Sequence, residues 1–267
     1  MNPVHYQRLQ VAIEAAEQAA QILRLWHEQA DLGIIQKEDN SPVTHADLAA
    51  NEVILSLLKS SFPEDGILSE ESLDSEERFS KEYVWVIDPL DGTKDFIART
   101  GEFSVNIALV HSHQVVLGVI AVPLKKTIYY ALHGEGAFCR YDGKDSSISV
   151  SKRLDHLIAL KSRFHVRENE ALYFANHRDK IPEVRTCGSA YKACLIACGD
   201  ADLAIKMSSG TKEWDVAASV ILIQEAGGVF LTPYGESLMF NRKDVVNREG
   251  YLIMNALHKD LICLKKL

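Results

Sequence analysis

An almost wholly apolar run of five residues leads directly into two aspartates three positions apart. Residues 83–87 (YVWVI) are aromatic or β-branched, which is typical of a strand buried on both faces, and Asp88 and Asp91 follow them. In a regular strand, residues three apart point to opposite faces, so the two carboxylates converge only if the chain changes direction between them. The intervening proline and the glycine after Asp91 favour a turn. We therefore predict that this turn directs both carboxylates, with the Leu90 carbonyl between them, to one point.

Carboxylate and carbonyl oxygens are the ligands that Mg²⁺ prefers in proteins. Glu70, which follows a short apolar run, and Asp215, at the start of an apolar helix pattern, are two further candidates. Without a cation, each pair of carboxylates about 4 Å apart would repel by about 4 kcal/mol at an effective dielectric constant of about 20. Taken singly, Glu70 and Asp215 are more simply read as a solvated acid and a helix cap. The metal hypothesis therefore depends on their convergence with Asp88 and Asp91.

Gly92 and Thr93 lie where the sequence allows a helix to begin. The first amides of a helix have no acceptor within that helix, and they bind phosphate groups readily. A metal site next to such a helix start is typical of phosphoryl-transfer chemistry. The segment therefore predicts an enzyme that acts on a phosphate ester.

The net charge limits the class of ligand less than it first suggests. The chain of 267 residues has 37 acidic and 29 basic side chains, and its formal charge is −8. An acidic chain is a poor binder of nucleic-acid polymers, so we expect none as a partner. Small anions are still compatible with this charge, because bound metal ions reverse its sign locally.

The lack of targeting signals and the pattern of cysteines both bear on where the protein is located. The N-terminus has no signal-peptide pattern, and the longest apolar stretch is too short to span a bilayer. The five cysteines include no C-x-x-C pair, so we expect reduced thiols rather than a zinc site. We expect a cytoplasmic protein without an integral membrane segment.

Hydrophobic periodicity indicates a mixed α/β (α+β) fold. Helical spacing predicts helices over 4–30, 46–60, 189–198 and 215–226. Strand patterns occur over 83–87, 104–110, 115–122, 127–132, 172–175, 202–207 and 251–254. A charged, serine-rich middle region suggests two subdomains in one structural unit, 1–142 with most of the metal ligands and 143–267 with Asp215 and the substrate contacts.

Several short motifs, taken in order, resemble those of the Mg²⁺-dependent, lithium-sensitive inositol monophosphatase superfamily. They are residues 39–47 (DNSPVTHAD), 68–71 (LSEE), 88–93 (DPLDGT), 101–109 (GEFSVNIAL), 188–192 (GSAYK) and 214–218 (WDVAA). The chain is more similar to the CysQ-type branch, the 3′(2′),5′-bisphosphate nucleotidases. Inositol monophosphatases tend to have Thr-Asn-Phe where this chain has Lys94, Asp95 and Phe96.

The resemblance implies a layered αβαβα sandwich with the active site between two subdomains. By motif, Glu70, Asp88 and the Leu90 carbonyl would hold a first Mg²⁺. Asp88, Asp91 and Asp215 would hold a second, and a third, weaker Mg²⁺ would lie near Glu70. The same resemblance implies that Li⁺ inhibits the enzyme.

The resemblance also implies roles in the reaction. Asp47 and Thr93 would form the pair that activates a water molecule, with Glu70 as a third catalytic residue. The amides of Gly92 and Thr93 would hold the phosphate. The implied reaction is removal of the 3′-phosphate of 3′-phosphoadenosine 5′-phosphate by metal-activated water, so the partner would be a small phosphorylated substrate. The protein would be a monomer or a homodimer.

Substrate contacts follow from two motifs of the same branch. Gly188, Ser189 and Lys192 belong to an element that lies beside the nucleotide in that branch, and Glu213 lies where the family often contacts its substrate. The branch usually has an aromatic-Pro-Arg-Phe run shortly before the position of Asp215. Residues 204–211 (AIKMSSGT) contain no arginine.

This departure leaves the second phosphate without its usual arginine. Lys206 or Lys212 could take its place, and strict preference for the nucleotide bisphosphate is weakened accordingly. An inositol monophosphatase or a broader sugar phosphatase of the same superfamily is therefore the alternative substrate assignment.

Two other classes of protein share part of this pattern. Haloacid dehalogenase phosphatases also place acids after a buried strand, but as Asp-x-Asp with a covalent nucleophile, and the spacing here is Asp-x-x-Asp. A metal or nucleotide sensor on the same fold would need no catalytic pair. The presence of Asp47 and Thr93 together with the metal-binding acids argues against such a sensor.

Overall fold

Two β-sheets, each covered on both faces by helices, organise the chain. The computed structural model describes residues 3–36, 42–164 and 167–261. The helices are α1 (Pro3–His27), α2 (His45–Ser61), α3 (Thr93–Ile97), α4 (Glu168–Asn176), α5 (Tyr191–Ala197) and α6 (Glu213–Glu225), with 3₁₀ turns at Glu76–Ser80, Pro123–Lys125 and Ala256–Leu261.

The first sheet has seven strands in simple chain order. They are β3 (Gly66–Ser69), β4 (Tyr83–Asp91), β5 (Ser104–His111), β6 (Gln114–Val122), β7 (Thr127–Leu132), β8 (Gly136–Tyr141) and β9 (Lys144–Ile148). The β3–β4 pair is parallel and the other pairs are antiparallel. This sheet contains the antiparallel meander that the sequence predicts.

The second sheet has five strands and mixed directions. Across the sheet they are β11 (Glu183–Thr186), β10 (Ile158–Lys161), β12 (Leu203–Lys206), β16 (Tyr251–Asn255) and β14 (Gly228–Leu231). The first three are mutually parallel, and β16 is antiparallel to both of its neighbours. Two small pairs complete the strands, β1 (Ile35–Gln36) with β2 (Pro42–Val43) and β13 (Thr211–Lys212) with β15 (Val246–Asn247).

Three apolar clusters define the layers. Helices α1 and α2 cover one face of the first sheet, since Ala12, Ala16, Ala19 and Leu23 are buried at helical spacing against it. Helices α5 and α6 fill the space between the sheets, and α4 covers the outer face of the second sheet through Tyr173 and Phe174. The order is helix, sheet, helix, sheet, helix, which confirms the predicted αβαβα sandwich.

Helix α6 is apolar around its whole circumference because both sheets pack against it. It approaches the first sheet closely at Gly118 on β6, where a Cβ atom would lie 2.6 Å from Ile221 Cγ2 and 2.8 Å from the Ala218 carbonyl oxygen. Only glycine permits this approach. The contact fixes α6, and with it Asp215 in its first turn, against the first sheet.

One predicted strand is wrong. Residues 172–175 belong to helix α4, in which Glu170, Tyr173 and Phe174 are buried while Leu172 is 59% exposed. The helical spacing is visible only when the buried Glu170 is counted, and an acidic residue gives no apolar signal.

The middle of the chain also holds unpredicted strands. Strand β9 is nearly all exposed and therefore carries no hydrophobic pattern, and β8, β10, β11 and β14 were likewise not predicted. The subdomain division after residue 142 stays a prediction, and the first sheet continues to Ile148.

The structure also bears on the expected absence of a membrane segment and on the expected state of the cysteines. No helix in the described parts of the chain is both long and apolar enough to cross a membrane. Cys139, Cys187, Cys194 and Cys198 are free thiols. Cys263 and residues 39–41 of the first motif lie outside the described residues.

Candidate active site

Asp88 and Asp91 share one face of strand β4 because the strand contains a bulge. Asp88 pairs with Asn106 on β5 and Asp91 pairs with Ser104, so three steps on β4 match two steps on β5. The extra residue restores the alternation that a spacing of three would break. The predicted change of direction therefore occurs inside the strand, as a bulge at the proline, rather than as a turn after it.

Asp88 is the buried member of an acidic cluster whose other residues are partly exposed. One carboxylate oxygen from each of Glu70, Asp88 and Asp215 lies within 4.8 Å of the others. Asp88 is 1% exposed, and its pKa is raised well above the usual range by burial and then by the charges of its acidic neighbours, Glu70 first among them. The structure therefore brings together acids from β4, from the end of β3 and from helix α6.

Asp91 and Asp215 extend this cluster. Burial, followed by the charges of Asp91 and Glu70, raises the pKa of Asp215 to about 8. Burial also raises the pKa of Asp91, although Lys192 and the Ala190 amide, which donates to Asp91 Oδ2 at 2.6 Å, oppose it. A divalent cation would offset the cost of burying these charges and the repulsion between them, and an all-oxygen donor set suits a hard ion such as Mg²⁺. The residues present therefore fit a metal centre.

The Leu90 carbonyl lies beside these acids. Leu90 lines the same cavity as Asp88 and Asp91, and its amide donates to Asp88 Oδ1 at 3.1 Å. Its carbonyl oxygen is 3.4 Å from the Thr93 hydroxyl. The side chain is buried, so the backbone oxygen is the group that Leu90 offers to the site.

Asp47 and Thr93 form a hydrogen-bonded pair at the edge of the cluster. The Thr93 hydroxyl donates to Asp47 Oδ1 at 3.3 Å. The second oxygen of Asp47 accepts the Thr44 amide at 2.8 Å and the Thr44 hydroxyl at 2.6 Å, as part of a capping box at the start of α2. Burial raises the pKa of Asp47, although the Thr44 hydrogen bonds oppose this. Asp47 thus acts as a helix cap and also reaches the site.

Gly92 begins helix α3 in a left-handed conformation, with φ at +90°. A Cβ atom there would lie 3.2 Å from Ser189 Cβ, so the glycine allows the chain to turn tightly beside the second half of the molecule. The turn places the first amides of α3, including that of Thr93, at the cavity wall. These are the groups predicted to hold the phosphate.

Residues 188–192 pack directly against this turn. The Gly188 amide donates to Glu102 Oε2 at 3.0 Å, and Ser189 adopts a positive φ of 47°. The Lys192 ammonium group donates to the carbonyls of Ser189, at 2.7 Å, and Cys187, at 3.3 Å. Gly188, Ser189 and Lys192 all line the cavity, but the Lys192 charge is directed into its own loop.

Glu213 lies away from the cavity. It is completely buried, and its oxygens accept the Asn241 amide at 2.6 Å, the Arg242 amide at 2.9 Å and Arg242 Nε at 3.0 Å. Burial raises the pKa of Glu213, and these hydrogen bonds lower it. The structure therefore does not bring Glu213 to the other predicted site residues, and this arrangement gives no support to its predicted contact with substrate.

The cavity between the two sheets measures about 440 Å³, within the range of small-molecule sites. Its wall includes basic residues that the sequence did not single out, namely Lys94, Arg163 and Arg167. Arg163 Nε donates to Asp95 Oδ1 at 3.1 Å across 68 positions of the chain, a pairing with no local sequence signal. Lys206 also lines the cavity, whereas Lys212 places its ammonium group 5.1 Å from the centre of the Trp214 ring.

Comparison with known proteins agrees with this arrangement. A sequence model described as the inositol monophosphatase family matches residues 5–265. The chain is 37% identical over 240 residues to the 3′(2′),5′-bisphosphate nucleotidase CysQ of Aggregatibacter actinomycetemcomitans, covering 88% of each protein. It is 34% identical to the CysQ of Salmonella typhimurium, covering 87% of this chain and 93% of that protein.

Solved structures are similar over nearly the whole chain. CysQ from Bacteroides thetaiotaomicron aligns with a TM-score of 0.81 and 34% identity, over 93% of this chain and 97% of that one. An inositol monophosphatase from Anabaena aligns with a TM-score of 0.78 and 27% identity, over 96% and 94%. The fold, the acidic cluster and these matches together show that the chain belongs to the inositol monophosphatase family.

Proposed function

We propose that this protein is a Mg²⁺-dependent phosphate monoester hydrolase that removes the 3′-phosphate of 3′-phosphoadenosine 5′-phosphate. The observation that carries the proposal is the convergence of Glu70, Asp88 and Asp215 beside the Asp47–Thr93 pair. The nucleotidase assignment is favoured over an inositol phosphatase because the CysQ proteins compared above are 34–37% identical, against 27% for the Anabaena enzyme.

Two ions have natural ligand sets in the cluster. Glu70, Asp88 and the Leu90 carbonyl would hold one Mg²⁺, and Asp88, Asp91 and Asp215 a second, with a third, weaker ion near Glu70. When bound, Mg²⁺ supplies charge neutralisation for the phosphoryl oxygens and makes water more acidic. The raised pKa values of Asp88, Asp91 and Asp215 make metal binding dependent on pH, since ligands must lose their protons.

Asp47 and Thr93 are suited to position and deprotonate the attacking water. The Thr93 hydroxyl donates to Asp47, which leaves its oxygen lone pairs free to accept a proton from a water molecule in the cavity. The raised pKa of Asp47 moves this carboxylate toward the range in which it can take the proton onward. Glu70, which lies in the acidic cluster, would be the third catalytic group.

The phosphate would be held by the start of helix α3. The amides of Gly92 and Thr93 lie at the start of the helix, where amides have no acceptor within the helix, and both residues line the cavity. They would stabilise negative charge on the transferring group. Gly188 and Ser189 would form the opposite wall, and the Lys192 ammonium group would keep that wall in place through its two carbonyl contacts.

Lys206 is the better candidate for the second phosphate. It is half-buried at the cavity wall, while Lys212 packs on Trp214 outside the cavity. An ammonium group in this position would take the place of the arginine that residues 204–211 lack. Losing such a charge-assisted contact costs about 1.5–3 kcal/mol, or a 10- to 100-fold rise in KM.

Phosphate release from 3′-phosphoadenosine 5′-phosphate and from inositol 1-phosphate, each with Mg²⁺, with EDTA and with added Li⁺, tests the proposal. We expect Mg²⁺-dependent, Li⁺-inhibited release that strongly prefers the nucleotide. Preference for the inositol ester would instead assign the protein to the inositol monophosphatase branch of the family. Phosphate release that is unchanged by EDTA would contradict the metal centre.

Paired variants test the second-phosphate contact. Lys206→Met should raise KM for the bisphosphate by at least tenfold, while Lys212→Met, the matched control, should leave it within about twofold. Equal effects of the two variants would contradict the assignment. Cytoplasmic location and a monomeric or homodimeric state stay predictions from the sequence.

A further inference from the structure

We infer that Arg78 is a positioning residue, which ties the part of the first sheet that carries Glu70 to the start of helix α6 that carries Asp215. The inference rests on the metal centre proposed above. Arg78 lies in the 3₁₀ turn after the Glu70 segment and touches neither the cavity nor the acidic cluster. Its role would be to hold two groups of ligands at a fixed separation before the metal binds.

The Arg78 guanidinium group is buried, and hydrogen bonds engage four of its five N–H donors. Its side chain is 1% exposed, and it donates to both oxygens of Asp74 at 2.7 and 2.9 Å. It also donates to Asn241 Oδ1 at 2.5 Å and to the Arg242 carbonyl at 2.9 Å. A buried guanidinium group is tolerated only when its donors are satisfied in this way. These contacts join positions 163 and 164 residues apart in the sequence.

On one side, Arg78 is anchored to the first sheet. Its Cα lies against β3, where a Cβ atom on Gly66 would be 3.1 Å away. The segment between β3 and Arg78 begins at Glu70, whose amide donates to the Ile87 carbonyl at 3.1 Å, next to Asp88. Movement of Arg78 is therefore transmitted to the same backbone that places Glu70 and Asp88.

On the other side, the contacts continue to Asp215. The Asn241 and Arg242 amides that follow the Arg78 contact donate to Glu213, two residues before Asp215 in the first turn of α6. A second route runs from Arg242 Nη2 to Asn247 Oδ1 at 2.9 Å.

This second route ends at the acidic cluster itself. Asn247 Nδ2 donates to the Lys212 carbonyl at 3.1 Å, and the Lys212 amide donates to Asp215 Oδ2 at 2.8 Å. Every link is a hydrogen bond between described residues. Arg78 is thus connected to the α6 ligand by two routes, which both start at the Asn241–Arg242 segment and then diverge.

The connection between Arg78 and α6 opposes the repulsion within the acidic cluster. Glu70, Asp88 and Asp215 each place a carboxylate oxygen within 4.8 Å of the others, and moving α6 away from the first sheet would relieve the repulsion between them when no metal is bound. A connection that resists this movement keeps the ligands close enough to share an ion. Groups that orient metal ligands from outside the coordination sphere typically contribute 10- to 100-fold in metal affinity.

Arg78→Lys is the decisive variant, because it keeps the charge but loses the fork that spans Asp74, Asn241 and Arg242. Arg8→Lys is its matched control. Arg8 makes the same two-point contact with Asp65, at 2.9 and 3.1 Å, and lies over Phe62, but on helix α1 at the far face of the first sheet. Calorimetric titration of each full-length protein with Mg²⁺ alone measures affinity, and thermal unfolding in EDTA measures stability.

We expect both variants to lower the melting temperature, and only Arg78→Lys to weaken Mg²⁺ binding, by 10- to 100-fold. At saturating Mg²⁺, Arg78→Lys should recover kcat to within about twofold of the unmodified protein. Unchanged Mg²⁺ affinity in Arg78→Lys, or equal weakening in Arg8→Lys, would overturn the inference while leaving the proposed metal centre intact.

Failure of the proposed function has its own signature. An unmodified protein that binds no Mg²⁺ in the titration would overturn the metal centre and the role of Arg78 together. If Arg78→Lys does not fold, Asn241→Gly decides, because glycine accepts the positive φ of 56° and keeps the amide that donates to Glu213, while the side chain with its acceptor oxygen is lost. We expect about fivefold weaker Mg²⁺ binding in Asn241→Gly, and wild-type affinity would contradict the inference.

Discussion

Glu213 and Asp215 occupy the same first turn of helix α6, yet they face opposite kinds of surroundings. Glu213 faces an arginine and two backbone amides, which lower its pKa against the effect of burial. Asp215 is partly exposed and lies beside other acids, which add to the effect of burial and raise its pKa to about 8, although Lys212 opposes this. One helix start therefore carries an acid whose close neighbours attract its charge and another whose acidic neighbours repel it.

This difference separates structural acids from candidate ligands better than burial does. Asp88 and Glu213 are almost equally inaccessible to solvent. What distinguishes them is that the neighbours of Asp88 repel its charge, whereas those of Glu213 attract it. A group held in a state that costs stability is a better candidate for function than a group that contributes to stability.

Among the substitutions that test this comparison, Asp88→Asn should have the largest effect, and the effect should be on activity. Because Asp88 is shared by both proposed ions, its loss should lower Mg²⁺-dependent phosphate release by about 1,000-fold or more. The unfolding free energy of the metal-free protein should be unchanged or higher, since one repelling charge is gone. Rate measurements and urea unfolding in EDTA check the two parts. Retained activity would contradict the site.

Glu213→Gln should have the opposite signature. Removing the charge leaves Arg242 without its buried partner, and breaking such a pair costs about 3 kcal/mol of unfolding free energy. Urea unfolding in EDTA measures this loss beside Asp88→Asn. A Glu213→Gln protein as stable as the unmodified one would mean that the two acids do not differ as the structure indicates.

The sequence predicted the convergence of the acids but not its geometry. The residues from Asp88 to Thr93 predict clustered oxygen ligands. The bulge between Asp88 and Asp91 becomes visible only when β4 is aligned with β5, where their partners are Asn106 and Ser104. Similarly, Glu213 and Asp215 are both acids in an apolar helix start, and their different roles depend on Arg242, far along the chain. Local patterns therefore specified the elements and the ligand candidates.

Long-range pairing supplied what local patterns could not. Arg163 and Asp95 meet across the cavity without any shared motif, and the exposed strand β9 carries no apolar alternation from which it could be predicted. Helix α4 was mistaken for a strand because a buried glutamate, Glu170, holds one of its inward positions. In each case the missing information lies in the partner surface.

The metal-free protein should lose stability as pH rises. Folding raises the pKa of Asp215 from 3.8 to about 8, so between these values the native state binds more protons than the unfolded chain. Unfolding free energy should therefore fall from pH 5 to pH 8 in EDTA, by up to about 1.4 kcal/mol per pH unit for each such proton. Urea midpoints at each pH measure the slope.

The acidic cluster provides two controls for this fall in unfolding free energy with pH. Asp215→Asn should make it shallower, because the proton that Asp215 takes up on folding is lost while those of Asp88 and Asp91 remain. Saturating Mg²⁺ should reverse it, since the ions bind deprotonated carboxylates. Stability that rises with pH in EDTA would show that the acids are not held as closely as the structure indicates.

Two buried threonines provide the smallest test. Thr44 is completely buried, and its hydroxyl donates to Asp47 at 2.6 Å. Thr211 is 8% exposed and lines the cavity, and within the described residues its hydroxyl has no hydrogen-bond partner. Valine has nearly the same shape as threonine without the hydroxyl, so the two substitutions compare a satisfied polar group with an unsatisfied one.

Thr211→Val should change unfolding free energy by less than about 1 kcal/mol, toward higher stability, because an unpaired buried hydroxyl no longer has to leave water. Thr44→Val, the matched control, should lose about 1.5–3 kcal/mol, the usual contribution of a hydrogen bond to a charged group. Urea unfolding of both proteins in EDTA gives the values. If Thr211→Val loses more stability than Thr44→Val, the Thr211 hydroxyl is hydrogen-bonded in the protein. The polar groups at the cavity would then be satisfied as fully as those around Glu213, which would contradict the contrast between the two regions.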